Sequence, residues 1–70
     1  MSRWPATKAR RVYAALGRIG WSVKALKSGS HTTLTKGTET FVWSFHEDDE
    51  IGPKMLARIA KKTGLTPDDL

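Results

Sequence analysis

Residues 39–46, Glu-Thr-Phe-Val-Trp-Ser-Phe-His, constrain this chain more than any other stretch. On an extended backbone Phe41, Trp43 and Phe45 fall on one side, and Thr40, Val42, Ser44 and His46 on the other. A strand with large aromatics along one face needs that face covered, while its other face can meet water. Two flanking segments carry stripes suited to the task. Ala9, Val12, Leu16 and Ile19 recur at helical spacing, widened by Ala15, and Met55, Leu56, Ile59 and Ala60 do so again. Lys8, Arg11 and Arg18 lie off the first stripe, and Lys54, Arg58, Lys61 and Lys62 form the wet side of the second.

Punctuation residues divide the chain. Pro5 suits a helix start, with Thr7 or Ser2 as its cap, and Gly20 ends that helix. Trp21–Ser28 alternates as a first strand, Trp21, Val23 and Ala25 against Ser22, Lys24 and Leu26. Ser28-Gly29-Ser30 reads as a turn, His31–Thr35 as a second strand, and Lys36-Gly37 as a tight hairpin into the aromatic strand. Glu47-Asp48-Asp49-Glu50 reads as a solvated acidic loop near the start of the second helix, where the helix dipole favours carboxylates. Pro53 opens that helix and Gly64 stops it; residues 65–70 form a short turn or helix against the core. Trp21 is expected in the core and Trp4, near the terminus, at the surface. The order α-β-β-β-α predicts an α+β fold: a three-stranded antiparallel sheet with two helices on one face.

Seventy residues predict a single domain spanning 1–70. A chain so short buries only about 60% of its unfolded surface, so its core is one thin layer. A deep pocket for a large cofactor does not fit, and no cofactor is expected. The absence of cysteine excludes disulfides, thiolate metal sites and a cysteine nucleophile, and suits a reducing cytosol. The longest apolar run is too short to span a membrane, and Met1–Pro5 lacks a signal-peptide apolar segment, so a cytoplasmic location is expected. The formal net charge is +5, unevenly spread. Residues 1–36 hold eight lysines and arginines and no carboxylate, whereas residues 37–70 hold four against seven acids. A first half without acids creates a field that attracts a polyanion, nucleic acid above all.

Two histidines are the candidates for chemistry. By strand parity His31 shares a face with Thr33 and Thr35, while Leu34 takes the opposite, helix-covered one. An exposed histidine at a strand end is available for proton transfer, because the ordinary imidazole pKa is about 6.5; an ordinary surface or turn histidine is the alternative. His46 is either an acid partner or a strand-end residue bonded to the following loop, and the second reading is preferred. Consecutive carboxylates on a loop rarely converge on a metal, so no metal site is expected at His46–Glu50. The aromatic row can stack bases, but with two apolar helix stripes to bury, core is the stronger reading. Lys8, Arg10 and Arg11 suit phosphate contacts, which position RNA without reading its sequence, or form a wet helix face.

At Gly20-Trp21, then Gly29-Ser30-His31, then His46, then Leu56, Ile59, Gly64 and Leu65, the chain resembles the HicA (YcfA-like) toxin family. The resemblance runs from about Val12 to Leu70. It implies a double-stranded-RNA-binding-domain-like fold and the toxin half of a toxin–antitoxin pair. It also implies metal-independent cleavage of messenger RNA, inhibiting translation and growth, with His31 as the catalytic residue. A HicB-type antitoxin is then the partner that covers His31, and oligomers form mainly through that antitoxin. The sequence departs from the family where Thr32 follows His31, since many members carry a second histidine or an arginine there. With this family in view, Lys24 and Lys27 are the expected cations beside His31, Gly29 and Ser30 the backbone that approaches phosphate, and Lys8 and Arg11 further RNA contacts. A non-catalytic RNA-binding module, or an inactive toxin remnant that still binds an antitoxin, is the competing expectation.

Overall fold

The computed structural model describes residues 4–26 and 31–70. A three-stranded antiparallel sheet is built from β2 (Ser22–Leu26), β3 (Thr32–Lys36) and β4 (Glu39–Trp43), with β3 in the middle. Helices α1 (Ala9–Arg18) and α2 (Pro53–Thr63) bracket it in sequence. The α+β architecture and element order expected from the sequence are therefore present. A second, two-stranded pairing was not expected: β1 (Thr7–Lys8) runs antiparallel to β5 (Glu50–Ile51), with Thr7 opposite Ile51 and Lys8 opposite Glu50.

This small pairing changes the role of the acidic loop. Thr7 does not cap α1; the N-cap is Lys8, which makes no side-chain capping bond, and Ser2 lies outside the described residues. The first amides of α1 bond across the chain instead. Ala9 N–H donates to the Asp49 carbonyl at 2.8 Å and Arg10 N–H to the Glu47 carbonyl at 3.2 Å. Two otherwise orphaned donors of the first turn are thereby satisfied. The acidic loop thus meets the start of the first helix as well as preceding the second, and neither helix holds an acid in its own first turn. The loop holds its own shape: His46 N–H donates to Asp49 Oδ2 at 2.8 Å, and Asp49 N–H to the His46 carbonyl at 3.0 Å. His46 contributes these contacts through its backbone, three residues beyond the end of β4.

Register explains the other departures. Thr32, the first residue of β3, pairs with Trp43, so Ser44 onward has no ladder partner and β4 ends before His46. Phe45 still packs against the core, as its alternation requires. Lys36 pairs with Glu39, which puts the hairpin turn on Gly37-Thr38, one residue later than expected, with Gly37 at φ +62°. In β2 the pairing shifts between Val23 and Ala25, leaving Lys24 as the extra residue of a bulge. Strict alternation along that strand fails at this point, and Val23, on an edge strand, is 47% exposed.

The core joins Ala9, Val12, Ala15 and Leu16 of α1 to Trp21, Leu34, Trp43, Ile51, Leu56, Ile59 and Leu65. Phe41, Phe45 and Trp4 pack against it partly buried, so Trp4 is not the free surface residue expected near the terminus. Met55 is also misplaced by the sequence stripe, since it is exposed and Thr63 is buried instead. Thr63 earns its place by hydrogen bonding: its carbonyl accepts the Trp21 indole N–H at 3.0 Å, and its hydroxyl donates to the Ile59 carbonyl at 2.7 Å. Beyond Gly64, whose left-handed φ of +81° closes α2, a 3₁₀ turn over Pro67–Asp69 lies under Arg18, which donates to the Asp69 carbonyl.

Candidate nucleic-acid interface

His31 is exposed and immediately precedes β3. Next to it, Thr32 faces the helices, because it pairs with the buried Trp43. Thr33 and Thr35 lie on the other face, paired with Val42 and Thr40 of β4, and Val42 there is 58% exposed. Continuing that alternation sets His31 on the open side of the sheet, at the end where the chain enters β3.

A hollow of about 340 Å³ opens beside this end and is lined by Thr32, Trp43 and Phe45, by Ala9, Arg10, Tyr13 and Ala14 of α1, and by Glu47. Its floor is aromatic. The Tyr13 ring lies 5.6 Å from that of Trp43 at a tilt of 54°, and Trp43 in turn meets Phe45 edge-on at 5.0 Å. Its rim is charged. Arg10 forms an ion pair with Asp48 at 3.1 Å, in the loop that also accepts the first amides of α1.

Arg10 also lines a neighbouring polar concavity of about 500 Å³ with Ala6, Thr7, Lys8, Arg11 and Glu50. Lys8 and Arg11 are thus brought together, both exposed, with Arg10 joining them to the hollow beside Thr32. The Lys8 ammonium is partly engaged, donating to the Asp48 carbonyl at 3.3 Å. Lys24 is exposed in the β2 bulge, on the opposite flank of β3 from β4. Lys27, Gly29 and Ser30 lie outside the described residues. Among the described residues no cluster of histidine and carboxylate side chains is arranged to hold a metal ion.

Sequence reasoning overlooked Tyr13 and Glu47. Tyr13 had a local signal: it follows Arg10 by three residues on a helix, so the two share a face. Glu47 had none, because its place depends on the loop folding back on α1. The arrangement offers an exposed imidazole on the open side of the sheet and, at the same end on the helix side, an aromatic hollow edged by Arg10 and Glu47, with Lys8 and Arg11 in the neighbouring concavity.

Residues 9–65 match the family described as HicA toxin of bacterial toxin-antitoxin. The chain belongs to the HicA toxin family. No curated protein and no solved structure matches it. The HicA match begins at the first residue of α1 and ends at Leu65, just past Gly64, so it takes in both helices and the whole three-stranded sheet. It contains His31, Lys24, Arg11 and the acidic loop, and leaves out Lys8. Membership makes the chain a toxin of a toxin–antitoxin pair and implies an antitoxin partner. No helix among the described residues is long and apolar enough to cross a membrane.

Proposed function

We propose that this HicA-family toxin is a metal-independent endoribonuclease that cleaves messenger RNA, with His31 as its catalytic residue. The observation that carries the proposal is an exposed histidine entering β3 in a chain of the HicA toxin family. RNA supplies its own nucleophile. The His31 imidazole takes the proton of a 2′-hydroxyl, and the 2′-oxygen forms a bond to the adjacent phosphorus. The bond from phosphorus to the 5′-oxygen breaks, and that oxygen regains a proton. A positioned base contributes roughly 10²–10⁴-fold. Lys24 and Lys27 neutralise the charge developing on the phosphoryl oxygens, and the backbone of Gly29 and Ser30 approaches them closely. Lys8 and Arg11 hold the RNA backbone beyond the scissile bond. A HicB-type antitoxin that covers His31 keeps the toxin silent, and the assembly in solution is set mainly by that antitoxin.

The test uses purified protein and its His31→Ala variant, checked for folding by circular dichroism, with labelled messenger RNA and a chelator. Cleavage by the parent alone is expected, and an all-DNA strand should stay uncut because it lacks the 2′-hydroxyl. Equal cleavage by both proteins would remove His31 from the mechanism. Binding without cleavage by either would replace the enzyme with a non-catalytic RNA-binding module.

A further inference from the structure

The side of the sheet nearer α2 has a different character. A groove of about 650 Å³ is walled by Phe41, Val42 and Phe45 from β4 and its continuation, and by Met55 and Ile59 of α2. Its polar rim is cationic, from Arg58, Lys61 and Lys62, with Ser44 at one end and no carboxylate. Val42 and Met55 are large apolar side chains left 58% and 37% exposed at its edges. Met55, Arg58 and Lys62 recur at helical spacing, so one face of α2 looks onto the groove along about 10 Å of axis.

The β4 wall is an edge strand: among the described residues it pairs with β3 alone. Its outer edge therefore presents unpaired backbone N–H and C=O groups, a template for another strand. Natural edges of this kind are usually blunted by inward charges, a proline or a covering element. Here residues 39–43 include no lysine, arginine or proline, and Val42 is apolar. From Glu39 to Trp43 the edge extends about 13 Å, the length of about four or five extended residues.

We infer that this groove takes an extended segment of the antitoxin, with apolar and acidic residues together on the side that faces α2, added as a fourth strand along β4. The inference rests on the antitoxin partner that family membership implies, and places a contact apart from His31. Main-chain hydrogen bonds to β4 give such a segment its register. Its apolar side chains enter the groove between Phe45 and Met55, and its carboxylates meet Arg58, Lys61 and Lys62. Charge selects this occupant over a second copy of the chain, whose α2 would bring the same cations to the same place. The strand edge selects it over RNA, because nucleotides cannot continue a β-ladder.

The test follows backbone amide NMR signals of the full chain while acetyl-Asp-Thr-Val-Thr-Val-Thr-Val-Thr-Asp-amide, whose valines and aspartates share one face, is added. Controls are a peptide whose central valine is proline, a lysine-for-acid peptide, and a short oligouridylate. The acidic peptide is expected to move amides of β4 and of Met55–Lys62. The proline peptide should fail, because it breaks the ladder, and the lysine peptide should fail on charge. A Lys61→Glu/Lys62→Glu variant, altered only at exposed positions, should bind the acidic peptide at least about tenfold more weakly. No shifts at about 1 mM peptide, or equal binding of the proline peptide, would overturn the inference. Oligouridylate moving the same amides and displacing the peptide would also overturn it, in favour of RNA. Peptide binding should survive His31→Ala, and messenger RNA cleavage should survive the α2 charge reversal. Failure of this inference is thereby separable from failure of the ribonuclease proposal.

Discussion

The two helices begin in different ways. Helix α2 is specified by its neighbours in sequence: Pro53 occupies its first turn after Gly52, and Gly64 in the left-handed region ends it. Helix α1 has neither a capping side chain nor an acid in its first turn. Its opening amides depend on Glu47 and Asp49, close to forty residues away in the chain, and on the β1–β5 pairing that brings them there. The charges follow the same division. On α1, Arg10 is paired with Asp48, whereas none of Lys54, Arg58, Lys61 or Lys62 on α2 joins an ion pair among the described residues. One helix start is held by a distant loop, and the other helix carries its own start and stop signals.

The largest test of this contrast lies in the core that both helices share. Trp43 touches Tyr13 of α1 as well as Phe41 and Phe45, and is 4% exposed. Leu56, fully buried, is the anchor of α2. Trp43→Ala should cost about 3–5 kcal/mol and Leu56→Ala about 2–5 kcal/mol, measured by urea unfolding. Because α1 leans on tertiary contacts at its start, Trp43→Ala should also weaken amide-exchange protection at residues 9–13 more than Leu56→Ala does. Equal loss of protection would mean that the two helices stand or fall together and that the contrast has no energetic consequence.

That contrast also explains what the sequence could tell. The strand Phe41-Val42-Trp43, the stripe Val12-Ala15-Leu16 and the bounds of α2 were legible because each is written in local periodicity or in a proline or glycine at a fixed offset. The contact of the acidic loop with the first helix was not legible because the bonds that make it, from Ala9 and Arg10, cross the chain. The two-residue strands β1 and β5 carry too little pattern to be seen, and the bulge at Lys24 shifts a register that alternation alone cannot reveal. Of the candidate site, His31 was singled out by residue type, strand parity and family resemblance, and the structure places it exposed before β3. Tyr13 and Glu47 became visible only when Thr32 and Arg10 were brought to one hollow. Met55 was counted as core for its apolarity, although the groove leaves it exposed.

Smaller substitutions separate the two kinds of helix end. Asp49→Ala removes the carboxylate that accepts the His46 N–H, loosening the loop whose carbonyls receive the α1 amides; about 1 kcal/mol is expected. Gly64→Ala should cost a similar amount, about 1 kcal/mol, for a different reason. The added Cβ meets nothing within 4 Å, so the whole effect is the strain of φ +81° on a residue with a side chain. The readout that distinguishes them is location. Asp49→Ala should raise amide exchange at Ala9 and Arg10, across the molecule from its sequence position, and Gly64→Ala only in the last turn of α2. An Asp49→Ala protein with unchanged exchange at Ala9 would show that the backbone of the loop holds α1 without the turn made by the side chain.

The smallest stability effect is expected at Arg10, and that makes it the sharpest functional probe. Its ion pair with Asp48 is open to solvent, the two side chains being 63% and 88% exposed, so Arg10→Ala should change stability by no more than about 0.5 kcal/mol. Yet Arg10 lines both the hollow beside Thr32 and the concavity shared by Lys8 and Arg11. If RNA follows that track, Arg10→Ala should weaken messenger RNA binding and reduce the salt dependence of affinity by about one phosphate contact. Asp48→Ala, which frees the same guanidinium, should leave binding equal or stronger. Should both variants bind RNA as the parent does, the RNA path must run over the other flank of β3, by Lys24. The Arg10–Asp48 pair would then be only a tie between the first helix and its distant loop.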